Sequence, residues 1–258
     1  MALPRASAGS LPSRSHPGRR SVVSRTPVPS GVAASGKTLP ILNDYYKALF
    51  TAYGAQGWWP GRSPFEIIVG AILVQNTAWT NAARAIESLR AKRLLIPASM
   101  RRMRTDRLAR LIRSSGYYRQ KARKLKAFLA FLDNIYSGSL NKMFAAPTGL
   151  LRDQLLSVSG IGPETADSIL LYAGGHPVFV VDAYTRLILE RHRHAQKNDS
   201  YESLRALFEQ SLPRDVKAWN EYHALIVRTG KHHCLSKAPK CEGCALKPFL
   251  PAAEELPS

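Results

Sequence analysis

The sequence predicts an all-helical protein. From about residue 39 to residue 250, apolar side chains recur at the three- and four-residue spacing of amphipathic helices. The connections between these stretches are short and rich in Gly, Pro and Ser, the residues that favour turns. The only strand-like run, residues 178–181, lies between two predicted helices. We therefore expect it to form an extended connection outside any sheet.

The predicted helices follow one another along the chain. In the first helix, Leu42, Tyr45, Leu49 and Tyr53 fall on one face. No internal repeat is visible, so we expect unlike helices around a core rather than a repeat array. Further helices are predicted over residues 67–75, 81–89, 105–114, 121–136, 150–157, 163–173, 182–190, 201–211 and 216–230.

The charge of the chain indicates its class of partner. Lysine and arginine total 37 against 18 aspartate and glutamate residues, which gives a formal net charge of +19 and a pI near 10.3. This excess favours a polyanionic partner, most commonly nucleic acid, although a basic tail is the simpler explanation. No stretch approaches the roughly 18 apolar residues of a membrane span, so we expect a soluble protein without membrane contact.

Residues 1–38 differ in composition from the rest of the chain. Pro, Ser, Gly and Ala dominate, with six Lys or Arg residues and no acidic residue. Because such a segment buries little apolar surface, we expect a disordered basic arm that attracts nucleic acid weakly. It lacks the continuous apolar stretch of a secretion signal. An organellar transit peptide, or a start codon placed too far upstream, are the alternatives.

The segment from residue 155 to 166 reads as two helices joined by a tight hairpin. Gly160 and Gly162 flank the apolar Ile161, and Pro163 is well suited to begin the next helix. The glycines allow positive φ and the close approach of another molecule. The free amides at the start of the second helix favour a phosphate oxygen. Alone, such a turn is most simply a connection between helices.

A second signal follows about twenty residues later, where the apolar run 178–181 ends in Asp182. An isolated Asp at a helix start is usually an N-cap. Its register with the hairpin, however, resembles the helix-hairpin-helix and aspartate signature of the endonuclease III superfamily of DNA glycosylases. The resemblance implies that the hairpin grips the DNA backbone and that Asp182 is catalytic. A carboxylate can stabilise the positive charge that develops on deoxyribose and can orient the attacking water.

The residue two positions after the second hairpin glycine bears on strand cleavage. In the bifunctional members of the superfamily, a lysine there attacks the sugar and the strand is then nicked. This chain has Glu164, and a carboxylate cannot form a Schiff base. The departure favours a monofunctional glycosylase, although another amine such as Lys231 could act weakly.

Three of the four tryptophans lie at the two ends of one predicted helix. Trp58-Trp59-Pro60, Gln75-Asn76-Thr77 and the hairpin resemble the bacterial 3-methyladenine DNA glycosylase III branch of the superfamily. Tryptophans are most often core residues. The resemblance implies instead that Trp58, Trp59 and Trp79, with Glu164, wall a pocket for a flipped base. Alkylated purines carry positive charge, and cation–π stacking between indoles would favour them.

Two segments resemble the parts of the superfamily that probe the duplex. Gln75 corresponds to the polar residue that fills the gap left by the flipped base. Residues 115–122 resemble the loop that pushes a side chain into the opposite strand, which makes Tyr117 the predicted wedge, although packing at a helix start explains it equally well. The basic run 119–126 includes Lys121, which we expect to contact phosphates.

The three cysteines lie in a pattern that suggests a metal site. Cys234, Cys241 and Cys244 match the first three ligands of the superfamily's [4Fe–4S] loop, but the fourth position is Leu250. A cluster completed by another ligand is favoured. A relic loop without metal comes next, and zinc completed by a histidine from 232–233 comes last. Three clustered cysteines also fit a reducing compartment.

The resemblance covers residues 40–250 and implies a two-lobed fold. A six-helix barrel lobe with the hairpin would span residues 62–174, and a second helical lobe would combine residues 39–61 with 175–250. The partner is expected to be double-stranded DNA with a damaged base, bound by a monomer. Two alternatives stay open: an endonuclease III-like glycosylase and lyase for oxidised pyrimidines, and a DNA-binding module without catalysis.

Overall fold

Twelve α-helices make up the part of the chain that the computed structural model describes, residues 38–251. The predicted disordered arm therefore lies, apart from its last residue, outside the described residues. In chain order the helices are α1 Ile41–Tyr53, α2 Pro64–Leu73, α3 Trp79–Ala91, α4 Pro97–Arg102, α5 Thr105–Leu111, α6 Tyr118–Tyr136, α7 Leu140–Phe144, α8 Thr148–Leu156, α9 Pro163–Ser168, α10 Ala183–Arg191, α11 Tyr201–Ser211 and α12 Val216–His232.

The predicted all-helical class is confirmed, since residues 38–251 contain no strand. Two short helices, α4 and α7, were not predicted, because five or six residues are too few to show a helical period. The run 178–181 is extended, as expected, and two of its amides donate to side chains of α11. The Phe179 amide donates to Glu209 Oε1 at 2.9 Å. No helix in the described range is long and apolar enough to cross a membrane.

Local sequence explains where the helices near the pocket begin. The Ser63 hydroxyl accepts a hydrogen bond from the Glu66 amide at 3.2 Å, and Pro64 occupies the first helical position of α2. Helix α6 starts earlier than predicted because Tyr117 adopts a left-handed conformation with φ of 44° directly before it. A bulky side chain rarely adopts this conformation, and such strain is concentrated at functional sites.

The buried apolar side chains form two clusters. The first includes Phe65, Leu89, Phe128 and Leu155, and is built from α2, α3, α5, α6, α8 and α9. The second includes Leu42 and Phe208, and is built from α1, α10, α11 and α12. The two lobes implied by the resemblance, with their boundaries, stay a prediction.

Helix α9 reaches from one cluster to the other. It continues into a π-helical turn, Ile169–Ala173. Ile169 belongs to the first cluster, whereas Leu171 and Tyr172 belong to the second. The extended run makes the same crossing, since Val178 packs in the first cluster and Phe179 stacks on Phe208 in the second, with ring centroids 4.0 Å apart. These two segments hold the clusters together on either side of the pocket described below.

A buried ion pair anchors the hairpin. Asp167, on α9, is fully buried and accepts hydrogen bonds from Arg152 Nε at 2.7 Å and Arg152 Nη2 at 3.1 Å. The same Nη2 reaches Glu202 on α11 at 2.7 Å. Bidentate geometry makes this a strong pairing. The two helices that flank the hairpin are thereby joined to each other and to α11.

Candidate active site and DNA-binding surface

One pocket collects the predicted catalytic residue and all of the predicted base-pocket residues. Its cavity volume is about 230 Å³. A cavity of about 150 Å³ already holds a benzene ring, so this pocket has room for a larger planar base. Side chains from both clusters line it, from α2, α3, α9, α10 and α12. Among the predicted residues it brings together Trp58, Trp59, Gln75, Trp79, Glu164 and Asp182.

The three tryptophans form the aromatic walls of this pocket. All are half-buried. Trp59 and Trp79 meet edge to face with centroids 5.2 Å apart, and Trp58 lies 5.5 Å from Trp59. Trp59 also lies over Gly70, where an added Cβ would come within 3.3 Å of its indole nitrogen. The absence of a side chain at Gly70 therefore lets Trp59 pack against the backbone of α2, and Trp59 lines the pocket from this position.

Asp182 caps helix α10 and faces the pocket at the same time. Its Oδ1 accepts hydrogen bonds from the Thr185 amide at 2.8 Å and the Thr185 hydroxyl at 2.9 Å. Burial opposes ionisation, but the neighbouring imidazole of His223 and the two Thr185 bonds more than offset it, and the pKa of Asp182 falls below its usual range. The N-cap role and the pocket position thus coexist, and the carboxylate is held in its charged form.

His223, on α12, was not predicted as a site residue. Its Nε2 lies 3.7 Å from Asp182 Oδ2, and its Nδ1 is hydrogen-bonded to the Tyr172 hydroxyl. The Nε2 atom is buried and has no hydrogen-bond partner within the described residues, because 3.7 Å is too long for a direct bond. The imidazole therefore presents an unsatisfied ring nitrogen beside the second carboxylate oxygen. Nothing in the sequence around His223 marks this role.

Glu164 also lines the pocket, in the first turn of α9. Its side chain remains partly open to solvent, but desolvation within the pocket and the charge of Asp182 together raise its pKa. Of the two carboxyls, Glu164 is therefore the first to take up a proton. Environments that separate the pKa values of two neighbouring carboxyl groups in this way are typical of acid–base sites.

Lys231 supplies the amine in this pocket. Its ammonium lies 5.8 Å from the centre of the Trp58 ring. Gly230, the residue before Lys231, lets α12 pack closely against the pocket, because a Cβ there would lie 2.2 Å from the Tyr184 ring. Tyr184 also lines the cavity. The pocket thus combines two carboxyls, an imidazole and one amine with aromatic walls.

The hairpin presents backbone rather than side chains. Gly160 has φ of 86° and, with Gly162, is exposed, whereas the Ile161 side chain is buried and anchors the turn. The aliphatic part of Lys124 packs against Gly160, where any Cβ would come within 2.6 Å of it. A glycine is therefore required here both for the positive φ and for the close approach.

The two predicted probes share a cleft beside the hairpin. Gln75 and Tyr117 line it together with Gln120 and Lys124. Gln75 Nε2 donates to the Gly160 carbonyl at 3.1 Å and to the Thr165 hydroxyl at 2.8 Å, so the hairpin holds its side chain in place. Tyr117 is 66% exposed, which leaves the ring free to enter a duplex. Packing, the simpler explanation for Tyr117, does not account for this exposure.

The predicted phosphate contact of Lys121 is corrected by the structure. Lys121 is only 2% exposed, and its ammonium donates to the Leu73 carbonyl at 2.9 Å and the Ser115 carbonyl at 2.6 Å. Burial, with a smaller effect of Lys124, lowers its pKa to about 8. Lys121 therefore joins the end of α2 to the loop that carries Tyr117, and the basic run is not one solvated face.

The cysteines lie at a separate cavity, and the residues there do not fit a four-thiolate cluster. Cys234, Cys241 and Cys244 are free thiols, and Arg191 donates to Cys234 Sγ at 3.1 Å. Leu250 stands where a fourth cysteine would be needed. Within residues 38–251, no group of three or more His, Cys, Asp or Glu side chains is arranged to hold a metal ion. No step below passes through a metal.

Comparison with known proteins identifies the family. The family model described as HhH-GPD superfamily base excision DNA repair protein matches residues 69–214. A protein of Methanocaldococcus jannaschii named as a DNA repair glycosylase is 43% identical over 206 residues, or 79% of this chain and 93% of its own length. Endonuclease III of Thermotoga maritima is 28% identical over 184 residues, or 71% of this chain and 81% of its own.

Solved structures agree with this assignment. Helicobacter pylori 3-methyladenine DNA glycosylase bound to 1,N6-ethenoadenine superposes with a TM-score of 0.66 at 27% identity, covering 74% of this chain and 97% of that one. An endonuclease III–DNA complex, with a TM-score of 0.68 at 23% identity, covers 82% of this chain and 95% of that one and shares its fold. Because the family model spans more than half of the residues, the chain belongs to the HhH-GPD superfamily of base excision DNA repair proteins, the helix-hairpin-helix DNA glycosylases that its motifs resemble.

Proposed function

We propose that the protein is a monofunctional DNA glycosylase that flips an alkylated base into the tryptophan pocket and hydrolyses its N-glycosidic bond, leaving an abasic site. The observation that carries this proposal is the Asp182 carboxyl, capped by Thr185 and lining an aromatic pocket together with Glu164. By resemblance, Glu164 stands where the bifunctional enzymes have a lysine. The bound partner would be a DNA duplex with one damaged base, held by one protein molecule.

Base flipping sets the first requirement. Unstacking a nucleotide costs a few kcal/mol, and stacking on an aromatic side chain returns about 1–3 kcal/mol per base. Trp58, Trp59 and Trp79 supply this surface. Gln75, held by the hairpin, and the exposed Tyr117 are placed to fill the space that the nucleotide leaves in the duplex.

The two carboxyls divide the chemistry. As the glycosidic bond breaks, positive charge develops on the sugar, and the Asp182 carboxylate stabilises it and orients the attacking water. Glu164, which takes up a proton more readily, can donate a hydrogen bond to the departing base. The Nε2 atom of His223 has no hydrogen-bond partner among the described residues and lies 3.7 Å from Asp182 Oδ2. It can therefore make a second contact to the attacking water.

The proposed preference for alkylated bases rests on the chemistry of the pocket and on one structurally similar enzyme. Indole faces and two carboxyls favour a cationic methylated purine. The Lys231 ammonium near Trp58 opposes a cation at that wall and tolerates a neutral adduct. The neighbouring Helicobacter pylori enzyme binds one such adduct, 1,N6-ethenoadenine. Alkylated and etheno purines are therefore the substrate class we propose.

A panel of duplex oligonucleotides tests this function. Each duplex carries one lesion: a 3-methyladenine analogue, 1,N6-ethenoadenine, hypoxanthine, uracil or thymine glycol. We expect base loss from the first two, visible as a strand break only after alkali. Excision confined to thymine glycol would contradict the proposed substrate class, and binding without any base loss would favour the non-catalytic DNA-binding module.

One observation favours a second candidate, a glycosylase with lyase activity. Lys231 brings an amine into the same pocket as Asp182, and an amine can attack C1′ of the sugar, displace the base and then form a Schiff base with the opened sugar. In the same panel, a break without alkali would support this candidate. Borohydride would then trap a covalent complex that Lys231→Met abolishes and Lys124→Met, in the neighbouring cleft, does not.

Replacing His223 by Gln is expected to shift the acid limb of the excision rate toward higher pH. His223 lowers the pKa of Asp182 and also that of Glu164, so its removal raises both, and Asp182 becomes protonated at a higher pH. Tyr172 and Lys231 also face this site and remain unchanged in the variant. Single-turnover rates measured across pH would show the shift.

The control for this prediction is Tyr172→Phe. It removes the hydroxyl on His223 Nδ1 but keeps the imidazole beside Asp182, so the acid limb should stay closer to that of the wild type. An identical acid limb in wild type and His223→Gln would show that His223 does not act on Asp182.

A further inference from the structure

A groove between α5 and α6 is lined by four arginines. We call it the arginine groove, and define it by Arg110, Arg113, Arg119 and Arg123. It has a volume of about 590 Å³, and Asp106 is the only acidic residue that lines it. It lies outside the base pocket, and the proposed chemistry does not use it, although Arg119 and Arg123 belong to the basic run 119–126.

The charges in this groove are largely uncompensated. All four arginines are exposed. Arg113 and Arg123 have no carboxylate partner within residues 38–251, and Arg119 lies near the Tyr118 ring at 5.9 Å from its centre. Arg110 reaches Asp106 at 3.6 Å, but that carboxylate also accepts from Arg104. Four neighbouring cations, of which only Arg110 reaches a carboxylate, repel one another, and a polyanion would relieve that repulsion.

Helix α6 separates this groove from the hairpin. On one face of the helix, Lys124 packs against Gly160 of the hairpin and shares the cleft with Gln75. On another face, Arg119 and Arg123, one helical turn apart, line the arginine groove. Tyr117 stands at the tip of the helix, between the two surfaces.

The position of the base pocket indicates which DNA strand passes on each side of helix α6. Glu164 and Thr165 follow the hairpin directly and line the base pocket, so the strand whose base enters the pocket must pass the hairpin. The other strand of the duplex then lies beyond Tyr117. We propose that the arginine groove binds the phosphodiester backbone of the strand opposite the lesion. This inference rests on the proposed site of base flipping.

The test measures binding to a duplex with a tetrahydrofuran abasic site, which needs no base excision. Arg113→Ala and Arg123→Ala should each weaken binding several-fold at moderate salt. Each should also lower the slope of log affinity against log salt by about 0.9, the value for one lost phosphate contact. Arg107→Ala, on α5 but outside the groove, is the matched control and should bind like the wild type.

Methylphosphonate linkages, which remove phosphate charge, identify the strand. Methylphosphonates in the strand opposite the lesion should lower the affinity of the wild type. They should lower the affinity of a combined Arg113→Ala/Arg123→Ala variant only slightly further. Placed on the lesion strand, they should weaken both proteins by the same factor. The reverse pattern would overturn the strand assignment. Unchanged affinity in the arginine variants would show that the groove does not bind DNA, whatever the lesion panel shows.

Discussion

Asp182→Asn is expected to lower the single-turnover rate of base excision by about 10³-fold, the scale on which one preorganised electrostatic contact is lost. The Asp182 carboxylate lines the pocket, and its pKa is lowered by His223 and by the Thr185 hydrogen bonds. Asparagine removes the negative charge of the side chain but keeps one side-chain oxygen. DNA affinity should hold or rise, because a negative charge near phosphates disappears.

The substitution separates chemistry from folding. Asn is as good an N-cap as Asp, so its side-chain oxygen can keep the Thr185 hydrogen bonds and α10 should remain intact. Asp215→Asn is the matched control. Asp215 caps α12 by accepting from the Lys217 amide at 2.8 Å and the Ala218 amide at 3.1 Å, and it does not line the pocket. Excision that survives in Asp182→Asn would refute the catalytic assignment.

Arg152→Met is expected to lower the free energy of unfolding by about 3–5 kcal/mol, the usual loss when one partner of a buried ion pair is removed. The variant would leave Asp167 fully buried without its bidentate partner. Because Asp167 lies in the helix that follows the hairpin, the hairpin turn should loosen with it. Urea unfolding of the wild type and the variant measures the difference.

Two further variants test the cause. Arg152→Met combined with Asp167→Leu should recover part of the loss, because no unpaired charge is then buried. Arg101→Met removes a bidentate partner of Asp133, but this pair is exposed, so we expect a loss of about 1 kcal/mol or less. Equal losses at the buried and exposed pairs would show that burial is not the cause.

Several features of the fold follow from short stretches of sequence. The helices could be predicted because each repeats apolar residues with its own period, and the start of α9 because Pro163 is typical of a helix start. Helix α2, predicted from residue 67, begins at Pro64 instead. The functional reading of the hairpin and Asp182 came from their joint register, which resembles the signature of the endonuclease III superfamily. The boundaries moved where backbone strain intervened, as at Tyr117.

Other features depend on contacts between distant residues. Lys121 was predicted to lie on a phosphate-binding face because its neighbours are basic, but its ammonium is taken up by the Leu73 carbonyl, 48 positions away. His223 carries no motif, and its importance comes from the crossing of α12 and α10 that places it beside Asp182. The arginine groove likewise needs both α5 and α6, since neither helix alone has a concave basic surface.

By itself, the sequence determined the helical class, the hairpin, the capping aspartate and the basic character of the chain, because periodicity, turn chemistry and net charge are properties of neighbouring residues or of composition. The tertiary structure decided which groups share a pocket, which lysine is buried, and which carboxyl keeps its charge. Those outcomes depend on packing across the two clusters: Gln75 and Thr165, 90 positions apart, are joined at 2.8 Å. Desolvation and neighbouring charges act through space, and only the folded chain brings them to Asp182 and Glu164.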